Sequence, residues 1–386
     1  MYSVFQPKSL YIGPGALSQI ERVIETIEAR KILLVSGPTV EKLGLVDRTL
    51  QAMGSYRGHT EIFINPKPEP DIAIFEDCAE HAREIRTDLI IGLGGGSPMD
   101  LAKGAAVVAT HEEGMRPLLG RNLLRKKGIP VILVPTTAGS GTETTQAVVV
   151  EVPEEQTKKS IWDPRTMAEA AIVDPDLTLD MPPRLTAETG LDALLHAVEG
   201  YTSREANPMS RLYALEAMRL ISNYLIKAYQ DGSNMEAREA MARAATLAGI
   251  GCSNGGLGAI HALALALDSR NGFNHCRSLA VLAPWVIRFN SEGNENLYAD
   301  IAKALGENVA GLSAEKASLK ASEAFLRLFE QIGFSPYLKD YGIKKNELNA
   351  LALKAYRVGQ RLIHMNIREF SEEQTISLFR EAFGGK

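Results

Sequence analysis

Ile32-Leu33-Leu34-Val35 is a short unbroken apolar run that stops at Ser36-Gly37-Pro38. Residues 60–64 form a second strand candidate, closed by Asn65-Pro66-Lys67-Pro68. Leu89-Ile90-Ile91 leads into a cluster of glycines, and Val131-Ile132-Leu133-Val134 leads into Pro135. Between these runs, residues 16–29, 71–84 and 99–109 carry helical patterns. Short apolar strands separated by helices predict a parallel sheet covered on both faces. From about Thr186 onward the pattern changes and a 3.6-residue period prevails. Leu212, Leu215, Met218, Leu220, Ile221, Leu225 and Ile226 form a broad apolar stripe over residues 208–229. Residues 237–248 and 313–332 behave alike. The change falls at Met181-Pro182-Pro183-Arg184, a natural boundary. The expected architecture is a dinucleotide-binding α/β domain over residues 1–182 and an all-helical catalytic domain over residues 183–386. A cleft between two such domains is a common ligand site.

Composition narrows the classes. A hydrophobic fraction of 45% with 23% charged residues describes an ordinary globular chain able to bury a large core. A net charge of −5 gives no sign of a nucleic-acid or membrane-surface partner. The basic stretch over residues 121–127 reads as a solvated loop. Cys78, Cys252 and Cys276 are too few and too scattered for a disulfide framework, which fits a reducing compartment. Residues 1–10 lack a signal-peptide pattern, and no apolar run reaches the ~18 residues of a membrane span. The expected location is the cytoplasm.

Two loops carry candidate binding chemistry. Residues 91–103 read Ile-Gly-Leu-Gly-Gly-Gly-Ser-Pro-Met-Asp-Leu-Ala-Lys. A strand enters Gly94, Gly95 and Gly96, after which Ser97 is expected to cap a helix with Pro98 at its first position. Glycines let the backbone approach a phosphate, and the helix N-terminus favours its charge. The spacing is not the G-x-G-x-x-G fingerprint, so the sheet is Rossmann-like without being a standard Rossmann domain. A second polar turn, Pro135-Thr136-Thr137-Ala138-Gly139-Ser140-Gly141-Thr142-Glu143, also follows an apolar strand. Two such loops after separate strands of one sheet suit a dinucleotide, because ligands gather at the carboxyl ends of parallel strands.

The helical half carries candidate metal chemistry. Asp192 and His196 stand four residues apart and share a helix face. His261 and His275 follow, and with His196 they are the only histidines between residues 112 and 363 of the seven in the chain. One carboxylate and three imidazoles can bind Fe²⁺ or Zn²⁺. Spacing alone does not establish that the four converge.

Taken together, these motifs resemble the iron-containing, or group III, alcohol dehydrogenase family. The resemblance spans nearly the whole chain. It runs from Asn65-Pro66 through Gly94 to Lys103 and Pro135 to Glu143, then Asp174-Pro175, Gly190 to Gly200, and finally His261-Ala262-Leu263 and His275. It implies the dehydroquinate-synthase-like fold and a metal held by Asp192, His196, His261 and His275. The implied reaction passes a hydride between a nicotinamide cofactor and a small alcohol, aldehyde or ketone polarised by that metal. Gly95, Gly96 and Ser97 would contact the pyrophosphate, with Asp100 in the same motif. Thr136, Thr137 and Ser140 would line the groove. Lys159 would reach the nicotinamide ribose. The family is commonly dimeric, so residues 9–12 are a candidate interface strand and a homodimer or larger homo-oligomer is expected.

Three departures matter. NAD-preferring members commonly place an Asp after the strand matching residues 32–35, whereas this chain has Gly37. The missing carboxylate would remove repulsion of a 2′-phosphate, so NADP(H) is expected in preference to NAD(H). Leu265 stands where some members carry a further histidine. Arg277, two residues past His275, is a candidate for binding an anionic substrate group, although a salt bridge is the plainer reading. Cys252 and Leu265 suggest a partly apolar substrate lining. The competing reading is a metal- and NAD-dependent lyase resembling dehydroquinate synthase.

Overall fold

The computed structural model describes residues 1–155, 157–268, 270 and 272–384. Nine strands run β1 Ser9–Ile12, β2 Ile32–Ser36, β3 Thr60–Ile64, β4 Leu89–Gly94, β5 Gly120–Arg121, β6 Val131–Pro135, β7 Ala147–Val152, β8 Thr157–Trp162 and β9 Ala170–Val173. The first half also holds helices α1 Ile20–Ile27, α2 Pro38–Lys42, α3 Leu45–Ala52, α4 Ile72–Glu84 and α5 Gly96–Val108. Ten helices follow: α6 Pro183–Thr202, α7 Pro208–Gln230, α8 Met235–Gly255, α9 Ala259–Ala264, α10 His275–Ser291, α11 Glu295–Ala304, α12 Ala314–Ile332, α13 Leu348–Val358, α14 Gln360–Ile363 and α15 Glu372–Phe383. Among the described residues no strand lies beyond β9.

Six strands form one parallel sheet in the order β1-β9-β6-β4-β2-β3. Its central strands are apolar throughout because both faces are covered. Leu33, Val35, Ile90, Val131 and Leu133 point to the face packed by α4 and α5. Ile32, Leu34, Leu89, Ile91, Leu93, Ile132 and Val134 point to the face packed by α1 and α3. Side chains alternate along a strand, so both packing layers draw on the same short runs. A smaller sheet, β5-β8-β7, includes the β7–β8 antiparallel hairpin and lies against α4 and α5. The helical half has its own large core, built mainly on α6, α7, α8, α9, α10 and α12.

A buried lysine ties these parts to the groove. Lys103 of α5 is only 1% exposed. Its Nζ donates to the carbonyl oxygens of Thr142 (3.2 Å), Thr145 (2.7 Å) and Ala147 (2.5 Å). The turn after β6 is therefore pinned to the helix that follows β4. An ammonium so placed replaces its lost hydration with carbonyl dipoles.

Candidate active site

The two glycine- and threonine-bearing loops meet at the carboxyl ends of β4 and β6. Thr136 N–H donates to the Gly94 carbonyl at 2.9 Å. A Cβ on Gly96 would lie 3.2 Å from Ser140 Oγ, and one on Gly95 would lie 3.4 Å from Thr137 Oγ1. Without side chains at 95 and 96, the loops enclose a narrow groove with Gly95, Gly96, Ser97, Thr137 and Ser140 partly exposed along it. Thr136 is buried beneath them. Gly37 follows β2 as the N-cap of α2 beside this groove, facing Pro98.

Two expectations need correction here. The helix starts two residues earlier than Ser97 suggested: Gly95 is its N-cap, Ser97 lies inside the first turn, and no side chain caps it. The first-turn N–H groups are thus left to an external acceptor. Asp100 does not line the groove surface. It is buried against Lys103 and the Val149 N–H, and burial pushes its carboxyl up while Lys103 opposes that shift.

The second loop also abuts the helical half. Gly139 packs on Thr189 of α6, and Gly141, at φ +61°, packs on Gly249 of α8. A Cβ at either site would fall within 2.6 Å of those residues. Thr189 lies three residues before Asp192, so the groove and the histidine cluster are neighbours across the cleft.

In that cluster, ligand atoms of Asp192, His261 and His275 lie within 4.8 Å of one another. The His196 ring stacks on His261 with centroids 4.7 Å apart, and its Nδ1 is 3.7 Å from Asp192 Oδ1. Among the described residues six buried polar side-chain atoms have no partner, and three of them, Asp192 Oδ1, His196 Nδ1 and His261 Nε2, belong to this cluster. Orphaned buried polar atoms are costly. Asp192, His261 and His275 make a donor set that fits a divalent metal, with His196 stacked beside them but outside the group of atoms within 4.8 Å. Burial, with His261 and His275 beside it, lowers the His196 pKa to about 4 despite Asp192, leaving a neutral ring.

The local sequence explains the convergence. Asp192 and His196 are one turn apart on α6. Asn274 caps α10 by accepting the Arg277 N–H at 2.9 Å, which sets His275 at the first helical position. Two carboxylates orient the other rings: Glu199 Oε2 lies 2.5 Å from His261 Nδ1, and Asp268 Oδ2 lies 3.0 Å from His275 Nδ1. Burial works against the charge of His275, but Asp268 outweighs it and raises its pKa. Neither carboxylate had been singled out. Glu199 was legible as a neighbour, three residues after His196 on the same helix. Asp268 was not, because the chain leaves α9 before reaching it.

At the rim, Lys159 and Cys252 are not where the sequence placed them, while Arg277 takes the plainer of its two readings. Lys159 points away from the cleft and pairs with Glu155 at 2.7 Å on the surface. Side chains alternate along β8, so Lys158 turns inward instead. Its Nζ holds Glu69 at 2.7 Å, and it lies close enough to Asp268 and His275 to influence both. Arg277 is committed to a salt bridge. It donates to Glu188 Oε1 at 3.0 Å and to the Gly272 carbonyl, and its guanidinium lies 5.5 Å from the Tyr341 ring centroid. Arg184 and Asn274 share the same Glu188. Cys252 is 2% exposed and gives its thiol to the Gly249 carbonyl, so it stands behind the cluster rather than lining a pocket. Leu265 stays partly exposed one turn after His261.

Arg277→Ala is therefore expected to lower unfolding stability by about 1–3 kcal/mol, with Arg184 and Asn274 still compensating Glu188. Chemical denaturation reads this. Rates with neutral and carboxylated aldehydes should change in parallel. A loss confined to carboxylated substrates would return Arg277 to the substrate site.

Comparison with known proteins identifies the family. The sequence model of the iron-containing alcohol dehydrogenases matches residues 7–175, and that of the C-terminal domain of the same family matches residues 186–383. The long-chain-alcohol dehydrogenase 1 of Geobacillus thermodenitrificans (strain NG80-2) is 38% identical, over 99% of this chain and 96% of its own. The 1,3-propanediol dehydrogenase of Klebsiella pneumoniae is 37% identical, over 99% of both chains. A crystal structure of a 1,3-propanediol oxidoreductase superposes with a TM-score of 0.94 at 36% identity, over 99% of this chain and 100% of the other. The chain belongs to the iron-containing alcohol dehydrogenase family. It is a nicotinamide-dependent oxidoreductase that interconverts alcohols and aldehydes.

Proposed function

We propose that the chain is a metal-dependent aldehyde or ketone reductase and alcohol dehydrogenase for small substrates, and that it prefers NADPH to NADH. The observation that carries the metal part is the meeting of Asp192, His261 and His275, with His196 stacked on His261, next to the glycine-lined groove. Asp192, His196, His261 and His275 hold Fe²⁺ or Zn²⁺. That ion supplies Lewis-acid polarisation of the substrate oxygen. Gly95, Gly96 and Ser97 offer backbone N–H groups to the pyrophosphate, while Thr136, Thr137 and Ser140 form the facing wall. Leu265 contributes an apolar surface near the substrate, which suits short carbon chains.

Glu199 and Asp268 keep two rings turned toward the shared centre. Lys158 brings a cation to the cleft opposite them. No side chain is placed as a general acid, so the product oxygen takes its proton from water or from the cofactor ribose. Gly37 supports the NADPH preference by leaving the end of β2 without a carboxylate. The open edge of β1, beside the exposed Met1, Tyr2, Val4 and Phe5, supports self-association as a homodimer or larger homo-oligomer.

The test is stoichiometric. With short aldehydes and ketones, one NADPH should be consumed for each alcohol formed, faster than NADH. A lyase of related fold uses its nicotinamide only transiently, so product without net cofactor oxidation would favour that alternative.

A further inference from the structure

The helix that carries His261 is capped from outside itself. Its N-cap, Gly258, has no side chain. Instead Ala259 N–H donates to Asn366 Oδ1 at 3.1 Å, and Ile260 N–H donates to Glu199 Oε1 at 2.6 Å. A Cβ on residue 258 would lie 2.9 Å from Asn366 Oδ1 and 3.1 Å from Glu199 Oε1. Glycine there lets both side chains reach. Asn366 also exchanges hydrogen bonds of 2.8 and 2.9 Å with Asn290 of α10. One buried polar network thus joins α6, α9 and α10, the three helices that bear the histidine cluster.

Glu199 is the decisive member, because both of its oxygens are committed. A backbone N–H can only donate, so Oε1 must accept from Ile260. An ionised carboxylate has no proton to give, so Oε2 must accept from His261 Nδ1. A neutral His261 then carries its proton on Nδ1 and its lone pair on Nε2. That Nε2 is the buried atom without a partner beside Asp192 and His275. We propose that Glu199 is a positioning residue that fixes the Nδ1–H tautomer of His261, and so determines whether the cluster can bind metal. The proposal rests on the metal reading given above.

Asp268 provides an internal control. It holds His275 through Oδ2, while its Oδ1 has no partner among the described residues. An Asn at 268 can keep its oxygen on His275 and turn its amide group toward the Ser278 hydroxyl, which can accept from it. A Gln at 199 has no such choice. If its oxygen accepts from Ile260, its NH₂ faces Nδ1 and drives the proton to Nε2. If it is turned round, two donors face each other at the backbone.

The test compares apoprotein affinities for Zn²⁺ by competition with a chromophoric chelator. Far-UV circular dichroism and NADPH binding check that each variant is folded. Glu199→Gln should weaken binding by roughly 10–100-fold, the usual cost of removing the partner that orients a ligating histidine. Asp268→Asn should weaken it several-fold less. Glu199→Ala, where water can accept from Nδ1, should bind more tightly than Glu199→Gln although it unfolds more easily. A role in packing alone reverses that order. Equal losses in Glu199→Gln and Asp268→Asn, or wild-type affinity in Glu199→Gln, would overturn the tautomer role while leaving the metal site intact. Failure of the wild-type apoprotein to bind Zn²⁺ or Fe²⁺ at all would instead overturn the metal reading beneath it.

Discussion

His261→Ala, expressed and purified beside the wild type without oxygen, will fold, bind NADPH and carry almost no metal. Its turnover of short aldehydes will fall on the order of 10³-fold, since polarisation of the reacting oxygen contributes several kcal/mol and each ~1.4 kcal/mol is tenfold in rate. The substitution takes away one of the three groups whose ligand atoms lie within 4.8 Å of each other. It leaves Glu199 bonded to the Ile260 N–H at 2.6 Å, so the start of α9 keeps its external cap. Loss of metal and of activity should therefore appear together without loss of fold. Metal analysis, circular dichroism and the NADPH assay read the three quantities on one sample. Full metal content with full turnover in His261→Ala would remove this residue from the site.

Gly37→Asp will shift the choice of cofactor toward NADH. Residue 37 has φ −120° and ψ 160°, extended backbone that any residue adopts. A Cβ there meets only Pro98 Cγ, at an ordinary 3.7 Å. The substitution is thus sterically mild, and its effect is chemical. A carboxylate at the end of β2 would repel a 2′-phosphate; two unit charges ~4 Å apart interact by about 1 kcal/mol in water and about 4 kcal/mol near a protein surface. It would also accept a hydrogen bond from the 2′-hydroxyl of NADH, with a net gain of about 0.5–1.5 kcal/mol. The ratio of kcat/KM for NADPH over NADH should fall roughly 10–100-fold. An unchanged ratio would mean that residue 37 does not face the ribose.

The fold was legible where pattern and packing coincide. β2, β4 and β6 are unbroken apolar runs because alternate residues serve the α4–α5 and α1–α3 faces, and both faces are dry. β9, Ala170–Val173, gave little sign of itself because two of its four residues are alanine. The β7–β8 hairpin has a mixed burial pattern, and its second strand, Thr157–Trp162, begins with polar residues and shows no apolar run. At the site, residue types and helical spacing pointed to Asp192 and His196, while the convergence of His261 and His275 on them is a tertiary fact. Lys159 was misplaced because the face a strand residue takes is set by neighbours distant in sequence. The salt bridge expected of Arg277 is present, but its partner Glu188 is likewise a tertiary fact. Ser97 looked like a cap because serine usually is one. Here Gly95 takes that place, and the helix end remains open toward the groove.

The most direct test of the account is a metal titration of the anaerobic apoprotein, followed by NADPH oxidation with a short aldehyde. Turnover should be absent without metal, rise in proportion to added Fe²⁺ or Zn²⁺, and saturate at about one ion per chain. Full turnover by metal-free protein, or a metal-loaded protein that consumes no NADPH, would contradict it.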